Sequence, residues 1–369
     1  MKDIVIVGSL TSRYGGGTGG IATHVEQLAA ELERKGCNIT IYSDVERSCQ
    51  VTKKIKIVGI KSKKSIVKYA FDKPLEFSRL IFKRDSLTLK EKITSNEIVS
   101  NHKVENTVLH IHSLHNTIFE DKLLEKFECV FTDHGFWQSK TKSVSEIKNR
   151  ILKSKVTISV SNYAQKILTS TIPDLPKNKL KVIYNPIKVK YNKDNTCEYQ
   201  KEHIFFNGYS ESMTRKGFVD FCELAKENEN IEFIAIADSE AGNYARLLSL
   251  KNLTMLGKCS YDEITSLYRK SKIMVLPSNS ESFGLVYIEA ALNGVPVIGF
   301  EPVINEFNQY FGFDIGVAYS PNDEGIELLQ KKFTDLYNSD ITLSRKKEQI
   351  QKRISWDTKI SEFIDVYTS

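Results

Sequence analysis

The sequence has no long apolar run, and this limits where the protein can reside. Although 41% of its 369 residues are hydrophobic, no run approaches the roughly 18 to 20 apolar residues that a transmembrane helix requires. The opening MKDIVIVGSL turns polar at Thr11, before the core of a signal peptide could form. We therefore expect a soluble cytoplasmic protein without a transmembrane anchor, with on the order of two or three domains.

Paired cysteines are also missing. The six cysteines lie at positions 37, 49, 129, 197, 222 and 259, without a C-x-x-C pair. Neither a structural zinc site nor a disulfide framework is indicated, so we expect reduced thiols.

Positive charge is concentrated in one segment. The net charge is +6, yet residues 51–100 hold thirteen Lys and Arg against five Asp and Glu, a local excess of 13 − 5 = 8. Anionic lipid, nucleic acid and bulk water are the possible partners of such a surface. Because no zinc finger, basic-region helix or RNA-binding signature accompanies the charge, we expect no nucleic-acid partner. A peripheral contact with an anionic membrane is favoured instead.

Strand and helix patterns alternate regularly along the chain. An apolar strand at 4–8, a glycine-rich loop, a helix at about 21–35 and a strand ending at Asp44 form one βαβ unit. Further runs that are apolar on both faces occur at 108–113, 129–135, 156–161 and 180–187. Such runs are typical of parallel strands covered by helices. A second alternating set begins at 203–208 and reaches VPVIGF at 295–300.

A polar, aperiodic stretch at 188–203 separates the two sets and is the best linker candidate. We therefore predict an α/β protein of two doubly wound domains, residues 1–188 and 189–350. Residues 351–369 are predicted to form a closing helix that packs back towards the first domain.

The first candidate site is the loop Gly15-Gly16-Gly17-Thr18-Gly19-Gly20 before the first helix. Consecutive glycines let backbone N–H groups approach an anion, and the helix N-terminus adds positive potential. Gly15, Gly17 and Gly20 also spell the dinucleotide fingerprint G-x-G-x-x-G, with Asp44 placed for a nicotinamide ribose. Against this, six residues separate the strand from the glycines, whereas the fingerprint turns directly off its strand.

The second candidate site lies in NSESFGLVYIEAALNGVPVIG, at 279–299. Glu281 follows a buried strand, and Glu289 lies in the next helix with seven residues between them. Phe283 and Gly284 occupy the helix start, where N–H groups can meet phosphate or sugar oxygens. Glu289 interrupts an otherwise apolar helix, and a buried carboxylate is destabilising unless a partner bonds it.

This E-x7-E pattern, followed by A-x-x-x-G-x-P-V-I, resembles glycosyltransferase family 4, the retaining enzymes with the GT-B fold. That fold has two Rossmann-like domains facing a central cleft. The similarity extends over nearly the whole chain, since GGIATHVEQLAAELERKGCNITIYS, SVSNYAQKIL, VIYNPI and ISWDTKISEFIDVY resemble further family landmarks in the right order. The resemblance implies a hexosyltransferase that uses a nucleotide diphosphate sugar, UDP- ahead of GDP-. Its acceptor hydroxyl is expected in surface polysaccharide or glycolipid assembly, with a lipid-linked glycan as one candidate acceptor.

Residue roles follow from the resemblance. Glu289 would hold the donor ribose, while Glu281 and the backbone near Phe283, Gly284 and Leu285 would face the transferred sugar. Further donor contacts are expected from Gly16, Gly17, Gly19, Gly20, Arg215 and Lys216. His134 in TDHG matches the family's active-site histidine, so the expected catalytic residues are His134, Glu281 and Lys216.

Metal ligands are not expected. His110, His112 and His115 have spacings that suit a metal. Because the family type needs no metal or other cofactor and no D-x-D motif occurs, strand-end packing or acceptor contacts are favoured for these histidines.

The phosphate loop departs from the family pattern, in which a Gly-Arg and a following Lys-Gly bind the pyrophosphate. Here Tyr209 follows Gly208, and a longer loop leads to Arg215, Lys216 and Gly217. Lys216 matches the family lysine, and Arg215 is the nearest candidate to supply the missing charge. An NAD-dependent oxidoreductase and a non-catalytic sugar-nucleotide-binding protein remain the alternative functions.

Overall fold

The computed structural model describes the chain except residues 1, 18, 62, 83–85, 136, 138–139, 189–200, 210, 323–324, 340 and 342. It divides into two compact units, Met1–Lys188 with Ser355–Ser369, and Val189–Ile354. Most of the linker expected at 188–203 lies outside the described residues.

The first unit is built on an eight-stranded sheet. Its strands are Asp3–Val7 (β1), Ile39–Ser43 (β2), Cys49–Gln50 (β3), Ile55–Gly59 (β4), Thr107–His112 (β5), Glu128–Asp133 (β6), Val156–Ser159 (β7) and Leu180–Val182 (β8). Their spatial order is β3-β4-β2-β1-β5-β6-β7-β8. Neighbouring strands are parallel, except that β3 pairs antiparallel with β4.

Both faces of this sheet are buried. Its helices are Gly20–Arg34 (α1), Lys63–Asp72 (α2), Pro74–Phe82 (α3), Ser86–Asn101 (α4), Val144–Lys153 (α5) and Asn162–Thr171 (α6). Ile4 and Ile6 of β1 belong to one apolar cluster, and Val5 and Val7 belong to the other. This double burial explains why the strands read as continuous apolar runs.

The second unit has a six-stranded, wholly parallel sheet. Its strands are His203–Asn207 (β9), Glu232–Ile236 (β10), Leu253–Leu256 (β11), Ser271–Leu276 (β12), Val297–Phe300 (β13) and Gly316–Tyr319 (β14), in the order β11-β10-β9-β12-β13-β14. Its helices are Phe218–Glu227 (α7), Ser239–Leu248 (α8), Tyr261–Lys270 (α9), Leu285–Leu292 (α10), Glu301–Phe311 (α11), Ile326–Tyr337 (α12) and Lys347–Ile354 (α13). Two doubly wound α/β domains with parallel sheets are thus confirmed.

The last helix, Trp356–Thr368 (α14), belongs to the first unit and packs on α1. Trp356 Nε1 donates to Gln27 Oε1 over 2.6 Å, and the Tyr367 hydroxyl lies 2.7 Å from His110 Nδ1. No helix among the described residues combines the length and apolar character needed to cross a bilayer.

Strand order reverses once in each sheet, between β1 and β5 and between β9 and β12. In open α/β sheets, the loops at the carboxyl ends of the two strands diverge at such a point and leave a crevice for a ligand. Each unit therefore has one crevice that its topology marks as a candidate site.

Candidate functional site

Two loops border the crevice of the second unit, residues 208–217 after β9 and 277–284 after β12. Backbone and side-chain bonds join them: Asn279 N donates to Arg215 O over 3.0 Å, and Asn279 Nδ2 donates to Thr214 O over 3.0 Å. Sequence-distant residues on the two loops are thereby held together.

Two cations converge on one buried carboxylate in this crevice. Lys216 Nζ lies 2.5 Å from Glu281 Oε1, and Arg215 Nη1 lies 3.4 Å from Glu281 Oε2. Glu281 is only 5% exposed, and Ser278 Oγ also donates to its Oε1 over 3.1 Å. Arg215 is further held by Glu211 at 2.8 Å. The structure thus brings together three of the expected site residues, Arg215, Lys216 and Glu281.

Helices α7 and α10 both start at this crevice, after Gly217 and Gly284. Gly284 has φ +70°, and a Cβ there would lie 2.4 Å from the Tyr287 ring, so only glycine fits. Neither N-cap glycine provides a capping side chain. The two helix starts therefore add positive potential for an anionic ligand.

Glu289 lies apart from the cations, on α10. Its Oε2 accepts a 3.3 Å hydrogen bond from the Tyr268 hydroxyl, which in turn accepts from Asn207 Nδ2 over 2.9 Å. Burial raises the pKa of Glu289 to about 7, and the Tyr268 hydrogen bond only partly offsets this. The described residues place no cation within salt-bridge distance of Glu289, so its carboxylate is available to hydroxyl donors.

The remaining residues expected in this site differ in how far their side chains are exposed. The Phe283 side chain is 2% exposed and packs edge-to-face on Phe307, so it offers a ligand only its backbone. Leu285 is half-buried at the start of α10. Tyr209, in the family's arginine position, is 40% exposed.

A cavity of about 460 Å³ occupies the crevice of the first unit. Its polar lining includes Ser9, Ser43, Asp44, His115, Asn116 and Thr117. Gly16 and Gly17 also line it, whereas Gly19 and Gly20 lie at the start of α1 and do not. A Cβ at Gly16 would lie 1.8 Å from Leu10 O, so the loop can turn there only with glycine.

Three imidazoles meet behind this cavity. Nitrogen atoms of His24, His112 and His134 all lie within 4.8 Å of one another, and His112 Nδ1 is 3.1 Å from His134 Nε2. His112 lines the cavity, but His134 is not among its lining residues. Both ring nitrogens of His24 lack a hydrogen-bond partner among the described residues.

The electrostatics of these histidines favour neutral rings. Burial lowers the pKa of His134 and of His110 to about 3. Burial, followed by repulsion from neighbouring imidazoles, also lowers the pKa values of His24 and His112. At neutral pH these rings can therefore exchange hydrogen bonds but do not act as cationic acids.

The remaining histidines of the expected cluster serve local structure. His110 bonds Thr132 Oγ1 and the Tyr367 hydroxyl, each over 2.7 Å. His115 Nδ1 accepts from Lys142 N over 3.0 Å. Between them, Ser113 has φ +75°, a strained conformation that often marks a functional loop.

The dinucleotide interpretation finds little support in Asp44. Its Oδ2 pairs with Lys61 at 3.2 Å and with Lys90 at 3.0 Å. A ribose diol would have to compete with both cations for this carboxylate.

Sequence reasoning missed His24 and Tyr268. His24 falls in the buried stripe of α1 with Val25, Leu28 and Leu32, so a polar residue on an apolar helix face was the available signal. Tyr268 is fully buried on α9, and its contact with Glu289 depends on tertiary packing that has no local signal.

Comparison with known proteins matches both units. The model for "Glycosyltransferase Family 4" matches residues 18–191, and that for "Glycosyl transferases group 1" matches residues 202–353. A 41.2 kDa protein in the cps region of Klebsiella pneumoniae is 27% identical over 215 residues, 52% of this chain and 59% of that protein. The O-antigen chain mannosyltransferase RfbU of Salmonella typhimurium is 26% identical over 168 residues, 43% of this chain and 46% of that protein.

These matched stretches cover less than two thirds of either relative's length. Among solved structures, sucrose-phosphate synthase from Thermosynechococcus elongatus superposes with a TM-score of 0.72 at 15% identity, over 100% of this chain and 98% of that chain. At this identity the likeness concerns the fold.

Proposed function

Because the chain belongs to glycosyltransferase family 4 and has the GT-B fold, we propose that it is a retaining hexosyltransferase that uses a nucleotide diphosphate sugar. The observation that carries this proposal is the convergence of Lys216 and Arg215 on Glu281 between two helix starts. Two cations and two positive helix ends suit the diphosphate of a donor.

In the proposed reaction, Lys216 and Arg215 stabilise the charge that develops on the departing diphosphate. Preorganised charges of this kind stabilise a transition state without reorganising during the reaction. The departing phosphate oxygen accepts the proton of the acceptor hydroxyl, on the face where the new bond forms. Glu289 holds the ribose hydroxyls, and Glu281 faces the transferred sugar.

We place the acceptor in the polar cavity of the first unit. Its hydroxyl and amide groups and the His112 imidazole are suited to hydrogen bonds with a sugar. Neutral His134, linked through His112 to this cavity, orients the acceptor rather than protonating it. The similarity to the cps-region protein and to the O-antigen mannosyltransferase supports an acceptor in surface polysaccharide assembly. We propose in addition that this acceptor is a lipid-linked glycan at the inner membrane face.

A nucleotide-sugar panel tests the proposal. UDP-sugars are expected to raise the melting temperature more than GDP-sugars or NAD(H), and the effective donor should be hydrolysed slowly without acceptor. Retention predicts that the product keeps the donor's anomeric configuration, which NMR of the product reads directly. Tighter binding of NAD(H) than of every sugar nucleotide would sink the assignment.

A further inference from the structure

Helices α2 and α3, which contact each other, expose several large apolar side chains. Phe71 is 87% exposed, Leu75 is 88% exposed and Phe82 is 90% exposed. Val67 at 66% and Ile81 at 52% are exposed on the same two helices. We call these five residues the α2–α3 face.

The two helices are packed on the core of the first unit through other apolar residues, so the exposed side chains are not simply left over from a loosely packed segment. Tyr69 is 2% exposed and Leu80 is 9% exposed, both within the core of the first unit. On the outward side, Val67 and Phe71 are four residues apart, and Leu75 and Phe82 are seven apart. Both spacings place a pair on one helix face. Exposed apolar patches of this kind mark interaction surfaces.

Two exposed cations lie on the chain beside the α2–α3 face. Lys73 and Arg79 are exposed, and neither has an ion-pair partner among the described residues. Of the nearby acids, Glu76 pairs with Lys92 at 3.1 Å. Asp72 accepts only from the neutral amide of Asn96, over 3.0 Å, so it offsets one of the two positive charges. The sequence adds Lys63 and Lys64 before the face and Lys83 and Arg84 after it.

We propose that the α2–α3 face docks on an anionic lipid bilayer, with Phe71, Leu75 and Phe82 entering the acyl boundary and Lys73 and Arg79 contacting head-group phosphates. Apolar side chains flanked by cations match the two layers of a membrane interface. A second copy of the chain is a poorer occupant, because it would bring like charges together. The inference rests on the proposed function only in that the acceptor is taken to be lipid-linked.

Vesicle flotation tests the docking. Full-length protein is mixed with vesicles of phosphatidylcholine and phosphatidylglycerol at about 7:3, without donor. The triple variant Phe71→Ser/Leu75→Ser/Phe82→Ser should lose binding, with the partition coefficient falling about tenfold for each side chain removed. Leu247→Ser is the matched control, because Leu247 is 83% exposed on α8 of the other unit, and it should bind like wild type.

A second pair of variants separates charge from insertion. Lys73→Gln/Arg79→Gln should weaken binding to anionic vesicles about fivefold per cation, whereas Lys251→Gln should not. Wild-type binding should fall but persist in about 1 M salt, where electrostatic attraction is screened and insertion is not.

Three outcomes would overturn the docking. The first is that the triple variant binds vesicles as strongly as the wild type while its circular dichroism and melting temperature show a native fold. Another is complete release of the wild type by salt. The third is a lipid-free wild-type dimer that the triple variant dissociates, since the face would then be an interface between copies. Donor hydrolysis, measured without lipid, decides the proposed transferase function separately: its absence with vesicle binding intact removes that function alone.

Discussion

Lys216 Nζ lies 2.5 Å from Glu281 Oε1, and both side chains are largely buried, at 13% and 6% exposure. This carboxylate compensates the lysine and, at 3.4 Å, Arg215, so neither cation is left unpaired. If the cations bind a donor diphosphate as proposed, the diphosphate competes with Glu281 for them.

Removing either cation should slow transfer. Lys216→Ala is expected to reduce the single-turnover rate about 10²- to 10³-fold, as for loss of a transition-state donor. Arg215→Ala should reduce this rate only about tenfold, because the Arg215 guanidinium also pairs with Glu211 and is therefore less available to the diphosphate. Lys251→Ala, an exposed lysine of the same unit, is the control. If Arg215→Ala transfers at the wild-type rate while Lys216→Ala is crippled, Arg215 does not replace the arginine missing at Tyr209.

Glu289 should make donor binding depend on pH. Its pKa is raised to about 7, and the ionised form accepts ribose hydroxyls better, so donor affinity should fall about tenfold per pH unit below that value. Glu289→Gln should weaken binding at pH 8 and flatten this dependence. Calorimetry at several pH values measures both effects, with the exposed Glu240→Gln as control.

The same substitution should stabilise the free protein. A folded-state pKa above the unfolded value means that ionised Glu289 opposes folding, increasingly from about pH 4.5 to pH 7. At pH 8, Glu289→Gln is therefore expected to raise the free energy of unfolding by about 3 kcal/mol. A steep fall in melting temperature with unchanged donor affinity would make Glu289 a structural residue instead.

Much of the fold could be predicted from the sequence, because the strands are buried on both faces of each sheet and the family motifs occur in the expected order. Val5 and Val7 pack on one side of β1 while Ile4 and Ile6 pack on the other, so the apolar run itself indicated a covered parallel strand. The site was less accessible. The E-x7-E spacing marks Glu281 and Glu289, but it does not show that one is held by cations and the other by Tyr268.

The α2–α3 face shows why some surface features could not be predicted from the sequence. Sequence predicted a basic segment at 51–100, yet an apolar residue in a helix is normally expected to be buried. Phe71 and Phe82 can be identified as exposed only once Tyr69 and Leu80 are seen to fill the core side. Exposure depends on which face of a helix meets its neighbours, and apolar residues occur here on both faces.

The buried histidines predict acid sensitivity. Burial lowers the folded-state pKa values of His24, His110, His112 and His134 below the unfolded value of 6.5. The unfolded chain therefore binds more protons, and stability should fall as pH drops below 6.5 by at most about 1.4 kcal/mol per pH unit for each histidine.

His24→Leu isolates one such group, because the described structure gives neither His24 nitrogen a hydrogen bond to lose. In urea unfolding, the stability of the variant relative to the wild type should increase as the pH falls from 8 to 5, because burial lowers the pKa of His24 in the folded state. An advantage that does not change with pH would mean that His24 does not titrate on unfolding.

Transfer should survive removal of divalent metals. Lys216, Arg215 and the starts of α7 and α10 place positive charge around Glu281, which is the role a metal would otherwise have on the leaving diphosphate. Dialysis against EDTA should therefore leave the transfer rate unchanged, and added manganese should not raise it. Loss of activity that manganese restores would contradict the cation-based mechanism.

Restoration of activity by zinc alone would instead point to the imidazoles of His24, His112 and His134. Their nitrogens lie within 4.8 Å of one another, and zinc accepts imidazole ligands more readily than manganese does.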